Sequence, residues 1–541
     1  MLALSHIYFT AVSILFGRIT ISDLRNESKF KNISGGEMKK STILIVFLAM
    51  IFSHALSAQE LNIIPKPVMQ SVQEGKFIIT DNCEINISSG NNELIRLADN
   101  LSGDIARRTG LKLIAKSGFG RSGFSFKVDD KLVKEKDGYS LTIEKNNVSL
   151  IGNNVQGIFY GIQTIKMILA RDKEVYLPCT KIYDYPRYSY RGFMLDASRH
   201  FQSVAFVKKT LDMMAKLKLN IFHWHLIDDE GWRIESKKYP LLNKIGSYQD
   251  SLNAVERNGY YTQEEIKEVL KYAKQLYIKV IPEIEMPGHS RAVMNSYPEL
   301  LCPTGDGGKT FCAGNEKSYE FLKNISSEIV DLFKSEIIHV GGDERPKGVW
   351  EKCPRCKEMI TKKGLANEDM LQNYFMKEIC NHISKKGVKT LAWAENIKDG
   401  IPQNQIVEGW HPGESWDAAN RGYTTVNADN WYVYFDYPSY PRNDKPSWMP
   451  VLNLEKAYSF NPTPDSLDVD KRHLVIGSEC ALWTEQVLEY DVQHHLFPRI
   501  LAFTEVVWSL PEKNYPEFLN RVKNVKSYIN SLGFEFEKGA W

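Results

Sequence analysis

The feature that most restricts how this chain can fold is a rhythm that starts near residue 190. Short apolar runs, each suited to one buried strand, alternate with helical patterns over roughly 320 residues. The runs are GFMLD (192–196), LNIFHWHLIDD (219–229), IKVIPEIE (278–285), IIHVGGDE (337–344), VKTLAWAE (388–395), QIVEGW (405–410) and HLVIGSECALW (473–483). Between them, Ser203 stands where it would cap a helix whose Val207, Leu211 and Met214 share a face. Thr262 and Glu265 form a capping box, and 318–334 reads as another helix. Repeated strand–helix units predict an α/β fold, a (β/α)8 barrel of the TIM type.

Polar and aromatic residues gather at the C-terminal ends of these strands: Asp196 and Arg199, His225 and Asp228, Glu285 and His289, Asp343 and Glu344, Trp393 and Glu395, Trp410, Trp483 and Glu485. In a parallel barrel those ends open on one face, where active sites lie. A helix cap accounts for one charged strand end, not for six. The sharpest pattern is HVGGDE (339–344), in which adjacent carboxylates end an apolar run; if the strand continued through them, they would point to opposite faces.

Ahead of the barrel, residues 59–184 favour short strands with turns. YSLTIEKNNVSLIG alternates around an Asn146-Asn147 turn, which predicts a hairpin, and GIFYGIQTIKMIL (157–169) reads as an apolar helix packed on that sheet. A linker at DYPRYSYRG (184–192) separates this small α/β domain from the barrel, 185–541. Farther upstream, MKKSTILIVFLAMIFSHALSAQE begins at Met38 with two lysines, an apolar run and Ala-Leu-Ser-Ala. That is the layout of a bacterial signal peptide over 38–58, cleaved after Ala58, and it predicts export to the periplasm or the medium. The uncharged run is short for a membrane span, and no cysteine follows it to carry a lipid anchor. Residues 1–37, standing before a complete signal peptide, read as a gene-model extension.

The composition, 43% hydrophobic and 25% charged with a net charge of +2, supports a large core and argues for neither nucleic acid nor an acidic membrane surface as partner. Eight cysteines in an exported chain permit disulfides. Cys302 and Cys312 bracket a loop that a disulfide would close. Cys353 and Cys356 form a CxxC with no second CxxC or nearby His pair, so the expectation is a local disulfide or free thiols, not structural zinc. The pairing stays open.

The ordered set RGFMLDASRHF, HWHLIDDEGWR, EIEMPGH, HVGGDE and LWTE resembles the retaining β-N-acetylhexosaminidases of glycoside hydrolase family 20, over roughly residues 60–541. The resemblance implies a substrate-assisted reaction, in which the sugar's own acetamido oxygen attacks and no enzyme nucleophile is needed. Glu344 would be the general acid and base, with a raised pKa, and Asp343 would orient the acetamido group. Asp228 and His289 would form a relay to Glu344. Arg199 would grip the 3- and 4-hydroxyls and Glu485 the 4- or 6-hydroxyl. Trp393, Trp410 and Trp483 would wall the acetamido pocket, with Tyr434 and Asp436 as a Tyr-x-Asp pair on the acetamido carbonyl and the hydroxyls. Gly341 and Gly342 would leave room for the sugar, and Arg191 and Asp196 would be structural charges lining the barrel, outside the site.

The implied partner is a glycan with a terminal β-linked GlcNAc or GalNAc, with no cofactor, metal or membrane anchor. Beside a sugar-binding protein that has lost catalysis, which would be expected to lack Glu344 or its relay, two other enzymatic readings compete. One is release of a disaccharide in the manner of a lacto-N-biosidase. The other is a metal-dependent hydrolase, in which His223 and His225, sharing one strand face, join Asp228, His289 and Asp343 around a divalent ion.

Overall fold

The computed structural model describes residues 61–541, apart from 82, 89–90, 119–121, 249–256, 304–307, 396–400, 403, 443–444, 510–512 and 540–541. The segments expected to be a signal peptide (38–58) and an extension (1–37) lie outside the described residues.

The first part is a mixed sheet of β1 (Met69–Ile79), β2 (Glu84–Ile87), β3 (Ile114–Ser117), β4 (Gly123–Val128), β5 (Tyr139–Ile143), β6 (Asn147–Gly152), β7 (Ala170–Arg171) and β8 (Val175–Asp184). The strands lie in the order β1-β8-β5-β6-β4-β2-β3, with β7 added beside β8. The hairpin read from the sequence is β5–β6, which pair antiparallel with Leu141 opposite Leu150. Leu141, Ile143, Val148 and Leu150 alternate inward, as a half-buried sheet requires. Helices Asn92–Thr109 and Val155–Ile168 pack on this sheet. The second of these is apolar nearly all round, because its far side meets the barrel: Tyr160 packs edge-on against Trp508 at 4.9 Å.

The joint between the two parts is polar and buried. Asp184 accepts from Tyr139 Oη (2.7 Å), Lys218 Nζ (2.8 Å) and Trp508 Nε1 (2.9 Å). Removing Asp184 would strand a buried ammonium, a defect of about 3–5 kcal/mol. Arg191 completes the seam through the carbonyls of Tyr188 and Lys218 and the Tyr160 hydroxyl.

The barrel strands are β9 (Tyr190–Asp196), β10 (Ile221–His225), β11 (Lys279–Glu283), β12 (Ile337–His339), β13 (Lys389–Trp393), β14 (Ile406–Gly409), β15 (Thr425–Asn427) and β16 (Val475–Leu482). They close in chain order, β16 pairing with β9, and every pairing is parallel. The sequence pattern finds seven of them and misses β15, whose three residues are too few and too polar to show a period. Ser203 caps its helix through Phe206 N (3.1 Å), and Thr262 with Glu265 forms the capping box, a device worth about 1 kcal/mol. Among the described residues, no helix is long and apolar enough to cross a membrane.

Inside the barrel the side chains are layered. Tyr190, Ile221, Ile281, Leu391, Ile406 and Val426 form an apolar cluster at one level. Two residues further along the same inward faces stand His223, Glu283 and Glu408, which together with His339 and Glu479 are fully buried. This ionisable layer is the floor on which the site rests.

Candidate active site

The sequence pattern carries the fourth barrel strand through Glu344, but the backbone leaves the sheet after His339. Gly341 (φ +61°), Gly342 (φ +107°) and Glu344 (φ +45°) turn it through left-handed conformations. A Cβ on Gly341 would lie 1.9 Å from Glu285 Oε1. The glycine thus makes room for a buried carboxyl group, not directly for a ligand as the sequence suggested. Glu285 Oε1 in turn accepts the N–H groups of Met286 (3.1 Å) and Gly342 (3.2 Å), while Gln372 donates to Gly342 O at 2.7 Å. The turn is pinned from both sides.

Because the chain turns, Asp343 and Glu344 do not face apart. Asp343 Oδ2 and Glu344 Oε2 stand 3.7 and 3.4 Å from the same atom, His289 Nε2. His289 is itself left-handed (φ +46°); two such non-glycine residues in contact are backbone strain of about 1–3 kcal/mol each, held by the surroundings. On its other side His289 Nδ1 donates to Asp228 Oδ1 at 3.1 Å. Asp228 Oδ2 meets His225 Nε2 (3.2 Å) and Arg199 Nη2 (2.7 Å). His225 Nδ1 is hydrogen-bonded to Glu283. A continuous line therefore runs Glu283–His225–Asp228–His289–Glu344.

The charges along that line are unequal. Burial alone would raise the Asp228 carboxyl, but Arg199 and His289 hold it far below the ordinary carboxylate range. Burial likewise disfavours a charged His289, yet Asp228, with Glu344 and Asp343 behind it, holds the ring far above its usual value, so it is a cation. Burial pushes Asp343 up to about 6, against His289. For Glu344 the sequence expectation of a raised pKa is not met. The His289 hydrogen bond lowers it, outweighing partial burial, and the side chain is 59% exposed. In this state the proton of the pair resides on His289.

Arg199, 9% exposed, lies among four carboxylates: Asp228, Glu230 (3.3 Å), Asp196 (3.5 Å) and Glu485 (3.7 Å). Its guanidinium also covers the Trp483 ring at 4.9 Å. Asp196 sets this corner by accepting from the N–H groups of Ser198, Arg199 and Thr484. The aromatic residues form one wall. Trp393 is 6.2 Å from Trp483, which is 6.0 Å from Tyr434, and Tyr434 stacks almost parallel (10°) on Trp410 at 6.4 Å. Of the neighbouring aromatics, Trp431 is exposed and Tyr432 stacks on Phe460, away from this wall. Asp436 is buried, and burial with the nearby Glu485 pushes it up to about 8. Asp343 Oδ1, Asp436 Oδ1 and Trp410 Nε1 are buried without a partner among the described residues. Such atoms cost stability unless a ligand satisfies them.

His223 and His225 do not converge with Asp228, His289 and Asp343 on a single point. His223 is held in the floor between Glu479 (2.7 Å) and Glu283 (3.2 Å), and His225 is part of the proton line. The donor set of the metal-dependent reading is therefore not assembled. Sequence reasoning missed the floor residues Glu283, His339, Glu408 and Glu479; their signal was ionisable residues at inward positions of apolar strands. It also missed that the CxxC is completed from elsewhere: the Sγ atoms of Cys302, Cys312, Cys353 and Cys356 lie within 4.8 Å of one another.

Comparison with known proteins agrees with this architecture. The model of the glycosyl hydrolase family 20 catalytic domain matches residues 188–511, and that of the family's domain 2 matches 60–185. A beta-hexosaminidase of Porphyromonas gingivalis is 35% identical over 503 residues, 88% of this chain; the chain spans 64% of that relative's length. One from Akkermansia muciniphila is 31% identical over 73% of this chain and 84% of its own. Among solved structures, an exo beta-N-acetylglucosaminidase of Vibrio harveyi in complex with N-acetylglucosamine superposes with a TM-score of 0.81 at 29% identity, covering 88% of this chain and 78% of that one. A beta-N-acetylhexosaminidase of Bacteroides fragilis gives 0.78 at 31% identity, covering 88% and 96%. With a family model spanning most of its length and relatives above 30% identity, this chain belongs to glycosyl hydrolase family 20.

Proposed function

We propose that the protein is an exo-acting, retaining β-N-acetylhexosaminidase that removes terminal β-linked GlcNAc or GalNAc by substrate-assisted catalysis. The observation that carries this is the convergence of Asp343 and Glu344 on one histidine, with Asp343 Oδ1 unpartnered among the described residues. Two carboxylates working across a glycosidic bond stand about 5–9 Å apart on opposite sides of it. Adjacent carboxylates on one turn instead suit two different atoms of the same sugar.

In the first step the acetamido carbonyl oxygen bonds to C1 as the C1–O bond to the aglycone breaks. Glu344 gives its proton to the departing oxygen. Asp343 accepts the acetamido N–H and balances the charge on the oxazolinium ring. In the second step Glu344 takes a proton from water, whose oxygen bonds to C1 and reopens the ring, so configuration is retained. His289 supplies the stored proton: covering Glu344 with substrate disfavours its charged form and draws the proton across the 3.4 Å contact. Arg199, Glu485 and Asp436 meet the sugar hydroxyls, and Trp483 its apolar face.

A panel of aryl β-GlcNAc, β-GalNAc, β-glucoside and lacto-N-bioside, followed by anomeric NMR, tests the reading. The first two should be hydrolysed with retention, and Glu344→Gln should lose about 10²–10⁴-fold in kcat. Net inversion, or equal hydrolysis of the glucoside, overturns it. Preference for lacto-N-bioside selects the disaccharide-releasing alternative. The reading includes export, supported by the leader layout of residues 38–58; a mature chain that keeps residues before Gln59 removes that part.

A further inference from the structure

Four cysteines unused by this chemistry meet in one place. Cys302 and Cys312 belong to the segment after barrel strand β11 and its short helices, while Cys353 and Cys356 flank the start of helix Pro354–Lys363, beyond β12. All four are at most 1% exposed. Cys302 Sγ lies 3.7 Å from Cys356 Sγ, and Cys312 Sγ lies 3.8 Å from both Cys353 and Cys356.

These separations discriminate between kinds of bonding. A disulfide brings one sulfur pair to about 2.05 Å and imposes nothing on a third or fourth. A redox-active CxxC needs an accessible attacking thiolate, which full burial denies. A regular tetrahedron with zinc–sulfur bonds of about 2.3 Å has edges of about 3.8 Å. The three measured edges match that figure, and they link all four sulfurs.

We propose that Cys302, Cys312, Cys353 and Cys356 form a closed, structural zinc site. Each thiol gives its proton to solvent and binds as thiolate, leaving no open position for catalysis. The site clamps two active-site loops together. Near Cys312, Phe311 N donates to Pro287 O at 2.9 Å, and Ser290 N donates to Lys309 O at 3.0 Å, which ties this segment to the loop bearing His289. Trp350 Nε1 donates to Phe311 O at 3.0 Å, and Arg345, next to Glu344, lies over the Trp350 ring at 4.7 Å. The His289–Glu344 spacing is therefore held by the clamp.

The inference stands independently of the proposed activity. Metal content of the full chain, purified without added metal, should be about one zinc per molecule, and zinc-edge X-ray absorption should give four sulfur neighbours at about 2.3 Å. Denatured with chelator and alkylating agent but no reductant, all eight cysteines should be modified. A Cys302→Ser/Cys356→Ser variant should lose the zinc and melt at lower temperature. Metal-free protein overturns the proposal, whether two disulfides leave four cysteines unmodified or all eight react. Zinc bound through nitrogen and oxygen, or retained by the double variant, overturns it as well.

Discussion

Replacing Asp228 by asparagine removes one charge and almost no volume from the proton line. Asp228 is 2% exposed and stands 3.1 Å from His289 Nδ1. At an effective dielectric constant of about 20, a unit charge at 3.1 Å contributes up to ~5 kcal/mol to the histidine cation, or about 4 pH units. In Asp228→Asn the ring should return towards the ordinary imidazole range of about 6.5 and be neutral above neutral pH. Glu344 then loses both its charged hydrogen-bond partner and the stored proton. Arg199 keeps Glu230, Asp196 and Glu485, so KM should change less than kcat. The assay is steady-state hydrolysis of two aryl N-acetylglucosaminides between about pH 5 and pH 9. One has an activated dinitrophenyl leaving group that departs without a proton, the other a leaving group that needs one. For the second, kcat at neutral pH should fall on the order of 10²-fold, with little change for the first. Equal losses on both would refute the relay, as would an unaltered pH profile.

Two further outcomes follow from burial at the site. Asp343 as a carboxylate accepts the acetamido N–H and balances the oxazolinium charge, and burial pushes it up to about 6, so that form predominates only above that pH. kcat/KM should therefore fall on the acid side with an apparent pKa near this value, and Asp343→Asn should be slow throughout with that limb gone. Asp436, held up at about 8 in the folded state, binds a proton that the unfolded chain has released by then. Its burial therefore costs stability increasingly from about pH 4 to about pH 8, up to ~4 kcal/mol at neutral pH. Asp436→Asn should raise the melting temperature at pH 8 and leave it unchanged near pH 4, while weakening substrate binding. An equal effect at both pH values would mean the carboxyl is not buried as a neutral acid.

The barrel was legible because each long strand carries an apolar run with polar residues at one end, a pattern set by burial on both faces. β15 escaped because Thr425–Asn427 is too short for any period and is followed by turn-forming residues. The chemistry-bearing residues were legible as strand-end polar groups, but their directions were not. Treating HVGGDE as one strand sends Asp343 and Glu344 apart, whereas positive φ at Gly341, Gly342 and Glu344 brings them to one histidine. The paired glycines were the available signal. The protonation of Glu344 was misjudged because its pKa depends on a hydrogen bond from His289, a long-range contact. The cysteine cluster was hidden for a similar reason: its two halves are 41 to 54 residues apart.

Glu283 sits fully buried in the floor of the barrel, and its two oxygens serve different tasks. One receives the Trp393 indole N–H at 3.0 Å; the other holds the ring of His225, where the line to Glu344 begins. The shape of the cavity and the strength of the acid thus descend from a single side chain on a rigid strand. A descendant lineage that altered this glutamate would disturb selectivity and turnover together. Adaptation to new glycans should therefore accumulate in the outer loops around Glu230 and Glu485, with position 283 left alone.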